Sequence, residues 1–339
     1  MLASVLSAYG FDAGDLRLER FGNGLINHTW KITAPSAAYI LQRINSNVFK
    51  NPLDIDHNIR SIERFLSAHF PTYPFVAPLK TKDGKTMYQT DMADYYRIFP
   101  YVKGSHTIDV VQTPEQAYEA ATQFGRFSRL LSGLDISDLK ITIPGFHDLS
   151  LRERQFFQAI PKANKERSRQ AENLINTLQG FSDIVATYEA IKTDPELKLR
   201  VTHHDTKISN VLLNERGKGL AVIDLDTVMP GYFISDVGDM IRTSACSASE
   251  EEADFTKVYV KRDFYNAIIK GYHNEMQDEL STREKELFLY SGKFIIYMQA
   301  IRFLTDFLEG DGYYGANYPQ QNLVRAGNQV ALLKSLYDM

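Results

Sequence analysis

The sequence is poor in the features that would commit it to an extracellular, membrane or nucleic-acid setting. Its 339 residues include one cysteine, Cys246, so no disulfide can close within the chain and no cysteine-based zinc site can assemble. Such thiol usage suits a reducing compartment. No uninterrupted apolar run reaches the roughly 18 residues that cross a bilayer. The opening MLASVLSAYGFDAGD has no basic stretch ahead of its apolar residues, so neither a membrane span nor a signal peptide is expected. A surplus of positive charge is missing too. The net charge of −4 gives no general attraction for nucleic acid or an anionic membrane. These absences point to a cytoplasmic protein with a small-molecule ligand, and they leave its oligomeric state open.

What is present is ordinary globular composition, with 44% hydrophobic and 24% charged residues, in a chain long enough for more than one domain. The first hundred residues are strand-rich: RLERFGNGLINHTWKIT, AYILQRIN and KTMYQTDMADYYRIFPYV mix β-branched and aromatic residues with Gly, Asn and Asp. Between them NPLDIDHNIRSIERFLSAHF carries Ile59, Ile62, Phe65 and Leu66 at helical spacing. Beyond Pro100 the spacing predicts amphipathic helices in PEQAYEAATQFGRFSRLLSGL, RQAENLINTLQGFSDIVATYEAIK, KVYVKRDFYNAIIKGYHNEM and REKELFLYSGKFIIYMQAIRFLTDFLEG. Thr113, Pro114 and Glu115 form a start signal for the first. The expected boundary falls at IFPYVKGSH, giving domains 1–102 and 103–339. The charged runs PKANKERSRQ and SEEEAD read as solvated surface.

The chemistry is concentrated in VTHHDTKISNVLLNERGKGLAVIDLDTVMPG, which begins at Val201. Two apolar runs, Val211 to Leu213 and Leu220 to Ile223, flank a turn-rich connector and predict a hairpin. Centring the turn on Gly217 sets Leu212 opposite Val222, Leu213 opposite Ala221 and Asn210 opposite Asp224, with Asp226 pointing the same way. An amide oxygen and carboxylates are hard donors suited to Mg²⁺, which takes its remaining ligands from water and phosphate. Asp205, on the loop entering the hairpin and not itself a ligand, is placed to accept a proton. A base, a metal-binding asparagine and a metal-binding aspartate past the hairpin make up the phosphoryl-transfer pattern of kinases. Adjacent His203 and His204 are not read as metal ligands, because no cysteine or third histidine completes a set.

The amino-terminal part should then hold ATP. Gly22 and Gly24 lie in a turn whose amides can approach phosphate, although Asn-Gly is also the commonest hairpin turn. Arg43, at the end of AYILQR, is the expected cation for the α- and β-phosphates, with Glu63 on the next helix as its partner. Phe99 and Tyr101 sit where a hinge would meet adenine; inter-lobe packing is the bland alternative.

On GNGLIN, YILQRIN, RVTHHDTK with Asn210, VIDLDTVMPG, GDMIR, IRFLTDFLEGD and YPQQNLVR, the chain resembles the aminoglycoside phosphotransferase and choline kinase superfamily nearly end to end. Within it the chain is most similar to the N-acetylhexosamine 1-kinases. The resemblance implies an α+β, bilobal protein-kinase-like fold, with a small mixed lobe carrying an antiparallel sheet and a larger helical lobe. It implies ATP- and Mg²⁺-dependent phosphorylation of the anomeric hydroxyl of N-acetylglucosamine or N-acetylgalactosamine. Asp205 would be the catalytic base and touch the sugar; Asn210, Asp224 and Asp226 would hold magnesium; Arg302, Tyr313 and Arg242 would bind sugar. Leu25 stands where one member has a histidine implicated in sugar contact, and Thr243 where it has an aromatic residue. The residues themselves leave alternatives: Arg302 could pair with Asp306 four residues on, and the acceptor could be choline, homoserine or a methylthio-sugar. A non-catalytic nucleotide-binding module is the third reading.

Overall fold

The computed structural model describes residues 2–11, 14, 16–22 and 26–339. The chain divides into two compact units, and the division is not a single cut. One unit comprises residues 1–106, 133–144 and 212–230; the other comprises 107–132, 145–211 and 231–339.

The first unit is built on an antiparallel sheet. Its strands are β1 (Arg17–Arg20), β2 (His28–Thr33), β3 (Ala38–Arg43), β4 (Tyr88–Gln89) and β5 (Tyr95–Pro100), in the order β1-β2-β3-β5-β4. Period-two alternation gives the sheet one apolar face. Ile32, Leu41, Tyr96 and Ile98 pack there with Val5 and Leu6 of α1 (Leu2–Ala8). Helix α2 (Pro52–His69) buries Ile59, Ile62 and Leu66, as the helical spacing predicts, together with Ile55, while Phe65 is only half-buried. Its buried Asn58 ties in the two later segments of this unit: Nδ2 donates to the carbonyls of Lys140 and Val228, and Oδ1 accepts from Lys140 N–H.

The second unit is mainly helical. It holds α3 (Pro114–Leu130), α4 (Leu149–Ala159), α5 (Lys165–Gln179), α6 (Asp183–Thr193), α7 (Phe233–Ser244), α8 (Arg262–Met276), α9 (Thr282–Glu286), α10 (Phe288–Glu309) and α11 (Gln321–Tyr337). Thr113 caps α3 in a complete capping box with Gln116. Helices α3 and α8 touch backbone to backbone at Gly271, where a Cβ would run into the Tyr118 carbonyl. Helix α10 is buried along most of its length, from Phe294 to Leu308.

Two helix expectations and one surface expectation need correction. The segment from Arg169 to Lys192 is two helices broken at Gly180, and the one ending at Glu309 is likewise divided, at Leu287. The charged run PKANKERSRQ, which runs into α5, is mostly exposed apart from Arg167, paired with Asp311 at 2.6 Å, and Glu250 of SEEEAD is gripped by two arginines, Arg242 at 2.6 Å and Arg325 at 2.5 Å.

The short strands are β6 (Arg200–Thr202), β7 (Val211–Leu213), β8 (Gly219–Val222) and β9 (Met229–Gly231). β7 and β8 form the expected hairpin in a different register. Asn214 N–H donates to Lys218 O at 2.8 Å, which centres the turn on Arg216 rather than Gly217. Leu213 therefore faces Gly219 and Leu212 faces Leu220. The side chain of Asn214 sets this turn by accepting from both Arg216 and Lys218 N–H. β8 ends at Val222, so Asp224 lies past the ladder and not on it.

Candidate active site

The loop after β6 is held in place by two aspartates of α7. Asp236 accepts the backbone N–H groups of His203 at 3.0 Å and His204 at 2.8 Å. Asp239 accepts that of Thr206 at 2.8 Å, and the Thr206 hydroxyl donates to the Asp236 carbonyl. His204 takes a left-handed conformation, φ 66°, which a histidine adopts only when its surroundings impose it. Gly231 makes room for it: a Cβ there would overlap Thr202 Oγ1 and the His204 ring. Both histidines are buried, His203 edge-on to Phe124 with centroids 5.2 Å apart.

Asp205 emerges from this scaffold with its side chain 26% exposed. Lys207 Nζ lies 3.0 Å from its Oδ2, and Asn210 Nδ2 donates to the same oxygen at 3.0 Å and to the Asp205 carbonyl at 2.8 Å. Burial alone would raise the Asp205 pKa. The charge of Lys207, the adjacent His203 and the hydrogen bonds from Lys207 and Asn210 outweigh it and hold the carboxyl below its ordinary value. Oδ1 is left to accept from a ligand. Asn210 spends its amide N–H on Asp205, which turns its own carbonyl oxygen into the available donor for a cation. Asp239 shifts the other way: burial and nearby Asp205 raise it, against Arg242.

Arg242 does not project as a free substrate-binding cation. It bonds Asp239 at 2.9 Å and Glu250 at 2.6 Å, so its charge is neutralised within the fold and it acts by positioning Asp239. Arg302 is different. It pairs with no carboxylate among the described residues; Nη1 donates to Gln299 at 3.1 Å and Nη2 to the Tyr313 hydroxyl at 3.4 Å. Its guanidinium lies 5.4–5.7 Å from the ring centroids of Phe146, Tyr313 and Tyr314. The alternative pairing with Asp306 is not formed. Asp306 is buried and instead accepts Tyr313 N–H at 2.7 Å and Tyr314 N–H at 2.9 Å, closing the loop after α10. Tyr313 is 64% exposed. Arg152 hydrogen-bonds the carbonyl of Gly145 at 2.9 Å and also lacks an acidic partner. Burial, with the charge of Arg302 adding to it, lowers its pKa. Burial likewise drives His147 well below its usual value, helped by His204 and the surrounding arginines. The Arg302–Tyr313–Phe146 corner is therefore cationic and aromatic.

In the first unit, Asp224 is exposed and left-handed, φ 60°, a conformation aspartate tolerates. Asp226 is only 2% exposed and both of its oxygens are engaged. Arg97 Nη2 reaches Oδ1 at 2.5 Å and Asn27 Nδ2 reaches Oδ2 at 2.7 Å. That carboxylate is a structural anchor and does not fit a metal-ligand role. Arg43 is bound to Asp94 at 2.8 Å, not to Glu63, which is half-buried on α2. Gly22 has a positive φ of 75° with open space where a Cβ would lie; Gly24 and Leu25 lie outside the described residues. Phe99 stacks under the Arg97 guanidinium at 4.9 Å, and Tyr101 under Lys31 Nζ at 4.4 Å.

Sequence reasoning missed Asp236, Asp239, Arg97 and Asn27. Two aspartates three apart in the apolar stretch FISDVGDMIR are the signal for the first pair, since buried acids need partners.

Residues 17–277 match the phosphotransferase enzyme family, and the chain belongs to that family. The fold is shared with solved kinases at low identity. An aminoglycoside phosphotransferase from Alicyclobacillus acidocaldarius superposes with a TM-score of 0.66 at 15% identity, over 98% of this chain and 94% of that one. A spectinomycin phosphotransferase in complex with ADP and spectinomycin gives 0.63 at 15%, over 99% and 96%. An amicoumacin kinase in complex with AMP-PNP, Ca²⁺ and its substrate gives 0.63 at 15%, over 99% and 92%. The α+β, kinase-like class read from the sequence is the class these structures define. No helix among the described residues is long and apolar enough to cross a membrane.

Proposed function

We propose that the protein transfers the γ-phosphoryl group of ATP to the anomeric hydroxyl of an N-acetylhexosamine, N-acetylglucosamine or N-acetylgalactosamine, releasing ADP, the sugar 1-phosphate and a proton. The observation that carries the reading is the Asp205 carboxylate, fixed by a doubly anchored loop, held ionised by Lys207, and left with one oxygen for a hydroxyl. A base of low pKa suits this chemistry. The transition state is loose, so little proton transfer is needed early and most of the rate comes from positioning and charge. Asp205 accepts the hydroxyl hydrogen, aligns the oxygen with phosphorus, and takes the proton as the new P–O bond completes.

The donor set fits a divalent cation of the magnesium type. The Asn210 carbonyl and the exposed Asp224 carboxylate are hard oxygen donors, and such an ion draws its other ligands from water and phosphate. A cation held by either group would offset the charge of the phosphates. The ADP and AMP-PNP held by the related kinases support ATP as the donor. Phe99 and Tyr101 offer aromatic surface for the base, and Gly22 an open position for approach of the phosphates, with Gly24 assigned alongside it from the sequence alone. Glu63 remains a candidate only through its helix.

For the acceptor, Arg302 gives donors to hydroxyl and carbonyl oxygens, and Tyr313 gives a hydrogen-bonding tip and a flat face for sugar C–H groups. Arg302 and Arg152, both without acidic partners, disfavour a cationic acceptor such as choline, and this favours a neutral acetylated sugar over an amino alcohol. An ADP-release panel tests the reading, using both acetylated hexosamines, glucosamine, choline, homoserine and methylthioribose. Turnover should be highest with the acetylated sugars, and the product should lose phosphate in mild acid as anomeric phosphates do. Preference for choline or homoserine, or an acid-stable product from the sugars, would overturn it.

A further inference from the structure

The two faces of the amino-terminal sheet separate its arginines. The register pairs Trp30 with Leu41 and Leu41 with Ile98, and these side chains lie on the face that packs against α1. Arg43, two residues beyond Leu41, shares that face and is closed off there by Asp94. The alternate positions make up the opposite face: Thr29 pairs with Gln42 and Gln42 with Arg97, while Lys31 pairs with Ile40 and Ile40 with Phe99. Asp226 reaches the sheet on this second face, two residues past Asp224.

This face has two chemically different ends. Near Tyr101, whose N–H donates to Ala38 O, it offers Ile40, Phe99 and the Lys31 stem, a flat apolar surface suited to a base. At the other end it offers Gln42, Arg97 and Asn27. Arg97 is 1% exposed; Nε and Nη2 bond Gln42 at 3.1 and 2.8 Å, and Nη2 also bonds Asp226. Its Nη1 is buried with no hydrogen-bond partner. A buried guanidinium nitrogen without an acceptor is unfavourable, and the fixed fork of arginine aims it while the other nitrogens are held.

We propose that Arg97, not Arg43, is the cation presented to the nucleotide phosphates, with Nη1 receiving a phosphate oxygen and Asp226 serving to hold the guanidinium rather than a metal. The inference rests on the kinase reading above. Calorimetric titration of the full chain with adenosine and with ADP, without acceptor, tests it. Arg97→Lys is expected to weaken ADP binding by roughly 10- to 100-fold, the range of a charge-assisted hydrogen bond, and to leave adenosine binding unchanged. Arg43→Met should keep the natural ADP-to-adenosine ratio. Should Arg97→Lys fail to fold, the paired change Arg97→Met with Asp226→Leu removes both buried charges together and should show the same lowered ratio. An unaltered ratio in the Arg97 variants, or a lowered one in Arg43→Met, overturns the role of Arg97. Natural protein that binds neither adenosine nor ADP overturns the kinase reading itself.

Discussion

Replacing Asp236 by asparagine should destabilise the protein in a way that depends on pH. The carboxyl accepts two backbone N–H groups, from His203 and His204. Asparagine has one carbonyl oxygen, so one N–H loses its acceptor and meets an NH₂ group. In the acidic range, where this carboxyl is neutral, a buried donor left without its acceptor costs roughly 1–3 kcal/mol. At roughly 2–4 °C per kcal/mol for larger domains, Tm should fall there by about 2–12 °C. The pH dependence follows from burial, which with the charge of Asp239 pushes Asp236 up to about 7 from 3.8, against the two backbone hydrogen bonds. Below about pH 4 the folded and unfolded chains both keep the proton. Between about pH 4 and 7 the unfolded chain releases it and the folded one does not, so the natural protein loses stability as pH rises; above about 7 the effect is complete. The gap corresponds to about 4 kcal/mol at 1.36 kcal/mol per pKa unit. Asparagine does not titrate and escapes this loss. The Tm deficit of Asp236→Asn, followed by calorimetry, should be largest at about pH 4 and below, shrink as pH rises toward about 7, and vanish or reverse above it, since the roughly 4 kcal/mol lost by the natural protein exceeds the cost of one unpaired donor. A deficit that stays constant or widens would refute the buried-acid reasoning.

Other perturbations separate chemistry from scaffold. Asp205→Asn should lower kcat by roughly 10²–10⁴ while circular dichroism and Tm stay near those of the natural protein; near-normal turnover would remove Asp205 from its role. Because its carboxyl is held below the ordinary carboxylate range, the acid limb of the kcat/KM profile should fall below about pH 4, and a limb near neutrality would count against it. Arg302→Met should raise the acceptor KM by roughly 10-fold or more without lowering Tm, since no ion pair is lost; an unchanged KM would place the acceptor elsewhere. Glu284→Gln strands Arg200 in a buried pair of 2.5 Å, and a loss of about 3–5 kcal/mol in denaturant stability is expected, whereas a loss under about 1 kcal/mol would show the pair to be solvated.

Much of this architecture was legible in residue pattern. The apolar stripe of α2, the Thr113 cap of α3 and the hairpin at 211–222 follow from spacing and turn chemistry that operate within a few residues. The Asp205–Asn210 pairing lies within one short loop and was accessible for the same reason. The hairpin register was not, because NERGKG contains two glycines and the Asn214 side chain, not glycine content, chose the turn. The partner of Arg43 is Asp94 and not Glu63, because alternation tells which residues share a face and not what reaches that face. Asp226 looked like a cation ligand from its spacing to Asp224, while its partners, Asn27 and Arg97, come from strands far away in sequence. Asp236 and Asp239 carry no local sign of their partner, because the loop they hold lies more than thirty residues earlier in the chain.

The most direct test is to incubate the protein with ATP, Mg²⁺ and N-acetylglucosamine or N-acetylgalactosamine and follow the reaction by phosphorus NMR. A new phosphomonoester signal coupled to the anomeric proton, absent with Asp205→Asn, is the expected result. ATP left intact with both sugars, or phosphate appearing on a different hydroxyl, would contradict the assignment.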